Sequence, residues 1–223
     1  MSLPLVAAAA PRPSPVADLK QVDARHYAFQ RYVTKGRWAS VWHQIDEVVR
    51  LAPNRVLEIG PGPGMFKASI AAFGVRVETL DLDPELKPDH VASVTEMPFA
   101  DRSYDVVCAF QMLEHLPYDT SLVAFSEMVR VARSHVVISL PDARATWRMM
   151  LHIPRVGTVH KLMPKWFWRP QPHVFDGEHY WEVNKRETPL ARVVADFSAR
   201  CPLERTYRVL EYPYHRFFVF KRA

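Results

Sequence analysis

Cysteine is scarce: the 223-residue chain has two, Cys108 inside an apolar strand pattern and Cys201 beside a proline. Two such positions supply neither a disulfide framework nor a zinc cluster, so no metal is assigned, and a reducing cytoplasm fits. Long apolar runs are missing as well. Charges or prolines break every stretch before the roughly 18 residues a membrane span needs, so the chain reads as soluble and cytoplasmic, with peripheral membrane contact left open. An early apolar stretch after Ser2 lacks a preceding Lys or Arg and soon meets prolines, which argues against a secretory signal. Residues 1–18 are expected to form a flexible tail. Residues 19–223 are expected to form one domain, because no internal repeat or low-complexity boundary divides them.

A third absence is local. From Ala143 to Phe175 there is no Asp or Glu, while Arg144, Arg148, Arg155, Lys161, Lys165 and Arg169 all fall there, with three histidines and Trp147, Trp166, Phe167 and Trp168. Two readings stand side by side. The segment, about 142–188, is either a loop over the sheet with cations in water and aromatics in the core, or an electropositive aromatic lid over an anionic, sugar-like or lipid-linked substrate. The net charge of +5 suits anionic partners in general.

What is present begins at Val56, where Val-Leu-Glu-Ile-Gly-Pro-Gly-Pro-Gly runs from an apolar strand into three glycines at alternate positions. Gly60, Gly62 and Gly64 let the chain turn sharply and bring N–H groups against a ligand, with a helix able to start at Met65. The dinucleotide fingerprint would need a glycine at Met65. Glu58 would repel a pyrophosphate and welcome an ammonium. A second apolar segment ends at Asp81, twenty-one residues after Gly60, where a carboxylate can accept from both ribose hydroxyls.

The element pattern is α/β. A helix is expected over 38–51, strands over 55–59, 76–81, 90–93, 104–110 and 135–140, and helices over 65–73 and 120–131, the last with Thr120 as a cap. Alternation of this kind argues for a doubly wound sheet. A helix over 189–199 and strands over 203–211 and 215–221 suggest a terminal hairpin. Between Asp81 and His90, Pro84 and Pro88 leave room for one turn, so the third strand is expected to be a short edge piece.

Glu58-Ile-Gly60-Pro-Gly62-Pro-Gly64, Asp81, Met97-Pro98-Phe99, Tyr104-Asp105-Val-Val and Leu113-Glu114-His115-Leu116 together resemble class I S-adenosylmethionine-dependent methyltransferases of the type-11 kind. The resemblance covers Arg55 to Pro141 and, more loosely, the chain from Tyr27 onward. It implies a Rossmann-like seven-stranded sheet with an antiparallel C-terminal hairpin; the aromatic, basic insertion after the fifth strand is where the chain departs most from such a minimal core. It further implies S-adenosylmethionine as cofactor and S-adenosylhomocysteine as product. Gly60, Gly62 and Gly64 would surround the methionine moiety, with Glu58 near its ammonium or holding waters and backbone there. Asp81 would hold the ribose and Leu82 flank the adenine. Ser93 stands where the family often has an acid facing the adenine amine, so the Ser93 hydroxyl or the Val94 backbone would substitute. Asp83 and Asp89 read as turn formers.

Gln111 follows the fourth strand at the carboxyl edge of the sheet and is a candidate contact to the cofactor. Glu114 and His115 open the next loop. Because a sulfonium is already an activated leaving group, positioning does most of the work, but a hydroxyl or amine acceptor must still lose a proton. His179 is the leading candidate base, with Tyr180 beside it and His115 and His173 in reserve. The expected reaction is O-methylation of a small-molecule, glycan or lipid-linked acceptor. An RNA methyltransferase and a non-catalytic cofactor-binding subunit are the alternatives. The sequence assigns no oligomeric state.

Overall fold

The computed structural model describes residues 29–222; the tail expected over 1–18 lies outside them. The chain opens with a helical turn, α1 (Phe29–Tyr32), and α2 (Lys35–Arg50). Thr34 caps α2, its side chain accepting from the Arg37 N–H at 3.1 Å, which starts the helix three residues before the apolar periodicity does. Five parallel strands follow: β1 (Arg55–Ile59), β2 (Arg76–Asp81), β3 (His90–Val91), β4 (Tyr104–Phe110) and β5 (Ala132–Pro141). Helix α3 (Met65–Ala71) links β1 to β2, and α4 (Tyr118–Val131) links β4 to β5. After an inserted hairpin, β6 (Thr146–Ile153) and β7 (Gly157–Pro164), come α5 (Leu190–Ser198), β8 (Leu203–Arg208) and β9 (His215–Lys221). The large sheet has the order β3-β2-β1-β4-β5-β9-β8, with β9 antiparallel to both neighbours.

Strand alternation divides the core between the two faces of this sheet. Leu57, Val107, Ile138 and Phe218 point to the side covered by Phe125 of α4 and Phe197 of α5. Their sequence neighbours Val56, Val106, Val137 and Phe217 point to the side covered by Val48 of α2 and Phe66 and Ile70 of α3. Arg130, at the end of α4, fastens the Met97–Asp101 segment by donating to the Met97 and Phe99 carbonyls and to Asp101.

Several boundaries differ from expectation. β3 has two residues rather than four, since Pro84–Leu86 forms a single 3-10 turn and leaves no length for more. α4 starts at Tyr118 behind Pro117, so Thr120 lies inside the helix and is buried rather than capping it. β8 stops at Arg208. Asp83 does form a turn, accepting from the Glu85 N–H, whereas Asp89 does more: it accepts from Thr79 and Lys67, tying β2 to α3. The largest difference is the insertion, read as loop or lid. Residues 146–164 form a two-stranded antiparallel sheet of their own. Its aromatics are not core residues, since Trp147, Trp166 and Phe167 are exposed.

Candidate active site

The turn after β1 behaves as its glycines require. Gly60, Gly62 and Gly64 have φ of +66°, +52° and +72°, the left-handed region that side chains disfavour. A Cβ on Gly60 would lie 2.4 Å from Met112 Cγ, whereas nothing stands within 4 Å of one on Gly64, which faces open space at the mouth of α3. Glu58, inside β1, is buried beneath this turn; its Oε2 has no hydrogen-bond partner among the described residues. Burial pushes its carboxyl up to about 8, against a smaller opposing pull from Lys67.

Asp81 closes β2 half-buried, accepting from the Asp83 N–H at 2.9 Å; burial raises its pKa and backbone donors work against this. Leu82 is exposed beside it. Ser93 and Val94 follow the short β3; the Ser93 hydroxyl pairs with Thr95 at 2.8 Å, and Val94 is buried. Gln111 lies at φ +55°, unusual for a residue with a side chain, and its amide donates to Ser139 at 3.2 Å. It lines one pocket with Glu58, Gly60, Tyr32, Arg37 and His215.

Three of those residues were missed in the sequence. Tyr32 and Arg37 come from the N-terminal helices, the guanidinium 3.9 Å from the ring centre. His215 opens β9, buried, with Nδ1 2.7 Å from the Ser40 hydroxyl. Burial, aided by the charges of Arg37 and His179, holds His215 down to about 3, so it stays neutral. Only Thr34 as a cap signals that Arg37 sits in a first helical turn. The chain fold alone brings His215 here.

His179 and its neighbours form a second polar cluster, within electrostatic reach of His215. His179 Nδ1 lies 3.2 Å from Glu182 Oε1, and Tyr214 donates its hydroxyl to the same Glu182 oxygen at 2.5 Å. The His115 and His179 rings are 5.1 Å apart, and His115 Nδ1 donates to the Glu178 carbonyl at 2.9 Å. The acids around His179 raise its pKa above 6.5 despite burial. Tyr180 is fastened through its N–H to the Glu114 carbonyl and packs on Phe175. His173 instead faces the His179 carbonyl. Glu114 is fully buried, neither carboxylate oxygen having a hydrogen-bond partner among the described residues, and burial pushes it to about 8. Tyr32, which lines the pocket of Glu58 and the glycine turn, lies within electrostatic reach of both Glu58 and Glu114. Glu114, His115 and His179 each offer a ligating atom within 4.8 Å of the others, a spacing that could hold a metal ion.

This strand order, with a glycine turn after β1 and an acid closing β2, is the architecture of class I methyltransferases that use S-adenosylmethionine. The chain belongs to the methyltransferase-domain family, whose model matches residues 29–188. It is 33% identical to an uncharacterized methyltransferase of Mycobacterium sp. (strain JLS), over 49% of this chain and 46% of that one. It is 34% identical to the ubiquinone biosynthesis O-methyltransferase of Burkholderia vietnamiensis, over 36% of this chain and 41% of that protein. The chain thus spans about half the length of the curated relatives it matches, or less. Among solved structures, the Burkholderia thailandensis 1,6-didemethyltoxoflavin-N1-methyltransferase with bound S-adenosylhomocysteine superimposes at a TM-score of 0.58 and 14% identity, covering 97% of this chain and 93% of that one. The magnesium protoporphyrin IX methyltransferase of Synechocystis with bound S-adenosylmethionine gives 0.54 at 14% identity, covering 84% and 80%.

Proposed function

We propose that this chain transfers the methyl group of S-adenosylmethionine to an oxygen of a small-molecule, glycan or lipid-linked acceptor, with His179 as general base. The observation that carries the reading is the His179–Glu182 pair, within electrostatic reach of His215 in the pocket that holds Glu58 and the glycine turn. In the cofactor site, Glu58 would take the ammonium of the methionine moiety and Arg37 its carboxylate, while Asp81 would hold the ribose. Leu82, Ser93 and Val94 would border the adenine.

Glu182 accepts from His179 Nδ1–H, so Nε2 is the nitrogen able to take a proton. As the acceptor oxygen attacks the methyl carbon, the carbon–sulfur bond breaks and the sulfonium charge is discharged. The hydroxyl proton passes to His179, and the acids around it stabilise the imidazolium. The acceptor would enter by the cleft of about 440 Å³ beside α2, lined by Thr34, Gly36, Ala39, Arg148 and Tyr212.

His179→Gln should lower turnover by about 10²-fold or more with unchanged cofactor affinity. The wild-type profile should show a rising limb with its midpoint above 6.5, and the variant should lack it. Normal turnover with the limb intact would demote His179 to packing. A second reading follows from Glu114, whose carboxylate, without a hydrogen-bond partner among the described residues and beside two histidines, could seat a divalent ion that holds the acceptor oxygen instead. Loss of turnover on chelation, restored by a divalent cation, would favour it over the base. Transfer of labelled methyl to fractionated small-molecule, glycan, lipid and RNA pools tests the acceptor class. Incorporation into RNA alone would favour the nucleic-acid reading, and none at all the non-catalytic one.

A further inference from the structure

Cross-strand register sorts the inserted hairpin into two unlike faces. Trp147, Met149, Leu151 and Ile153 alternate along β6, and their partners on β7 include Met163 and Val159, so these six side chains share one face with Lys161. Trp147, Met149, Leu151, Ile153 and Val159 are each 37–52% exposed. The other face is mixed: Arg148, His152, Thr158 and His160 with Met150 and Leu162, Met150 being 72% exposed. At the tip stand Arg155 and Val156, the latter 71% exposed, and beyond the base Trp166 is 82% exposed. A two-stranded ribbon is marginal by itself, and an apolar face this continuous on a domain surface marks an interaction site.

We propose that this hairpin is a docking device for an anionic lipid surface, entering the headgroup layer with its Trp147–Ile153 face. Charge complementarity selects the occupant. The 33 residues from Ala143 to Phe175 carry six cations and no acid against +5 for the whole chain, so the remainder is slightly negative and the positive charge is concentrated here. A second copy would bring the same cations face to face. RNA would match the charge but not the aliphatic face, because Met149, Leu151, Ile153 and Val159 offer no ring for a base to stack on. Aliphatic and Trp side chains flanked by Lys and Arg suit the boundary between acyl chains and anionic headgroups. Arg148, on the opposite face, lines the cleft beside α2, so docking through the Trp147–Ile153 face leaves that cleft open; the proposal does not rest on a lipid-linked acceptor.

The test uses the full chain and reads binding without turnover. Co-sedimentation with vesicles of phosphatidylglycerol and phosphatidylcholine is expected, weakened by salt, with little on phosphatidylcholine alone. Arg155→Ala with Lys161→Ala should weaken binding about thirtyfold. Leu151→Glu with Val159→Glu should abolish it. Unchanged affinity for S-adenosylhomocysteine in both variants shows that the domain is folded. Absence of wild-type binding to the anionic vesicles would overturn the proposal, as would binding retained by both variants. So would self-association or RNA binding that the Leu151→Glu, Val159→Glu variant loses while vesicle binding persists.

Discussion

Two acids, Glu58 and Asp81, carry the donor half of the proposed chemistry, and they should answer differently to mutation. Asp81→Ala should weaken S-adenosylmethionine binding by about 1.5–3 kcal/mol, the range for hydrogen bonds to a charged group; Gly62→Val should abolish it, because φ of +52° excludes a β-branched side chain. Calorimetry decides both. Glu58 is protonated in the free protein below its pKa of about 8, and an arriving ammonium would ionise it. Cofactor binding at neutral pH should therefore release a proton, visible as a binding enthalpy that depends on the buffer, and Glu58→Gln should remove that dependence. These residues were legible because spacing alone marks them: alternate glycines and a strand-end acid are local patterns. Arg37, Tyr32 and His215 were not, since they reach the pocket only after β9 has entered the sheet beside β5, 160 or more residues beyond the first helices.

Among the elements, the inserted hairpin was the least legible. Period-two alternation runs through Trp147–Ile153, but strands were sought where apolar runs promised burial, and this face stays largely exposed, with Phe167 packed on Trp147. Its two ends meet, the Lys165 N–H donating to the Ala145 carbonyl at 3.2 Å, above a root in which buried Asp142 accepts from Arg216, Asn184 and the Arg144 N–H. Replacing residues 146–164 by a short glycine link should therefore leave the large sheet and cofactor affinity intact while lowering turnover with the natural acceptor. Turnover equal to that of the full chain would show that the insertion takes no part in acceptor binding. The parallel strands β1, β4 and β5 were readable for the opposite reason: each holds a Val- or Ile-containing run buried on both sides, and its identity does not depend on distant contacts.

For the whole molecule, the buried acids set the direction of pH dependence. Glu58 and Glu114 are raised from 4.5 to about 8 in the folded state, so the stability they confer is complete below about 4.5 and is lost as pH climbs through 8. Glu78, held down to about 2 by Arg55, Tyr104 and His90, works on the other side: its contribution is present above 4.5 and fades as pH falls toward 2. Thermal unfolding of the free protein should be highest on the acid side of neutrality and fall between pH 6 and 9, with the fall shallower in Glu114→Gln. A melting temperature that rises across that interval would contradict the buried, neutral state of both carboxyls.

Between β2 and β3 a single 3-10 turn stands where a crossover helix would otherwise wall the edge of the sheet, and the residue at the expected acid position is Ser93. If Asp81 holds the ribose, the exocyclic amine of the cofactor points toward this thinly built margin. Synthetic cofactors enlarged at that amine should be admitted where a fully walled enzyme would refuse them.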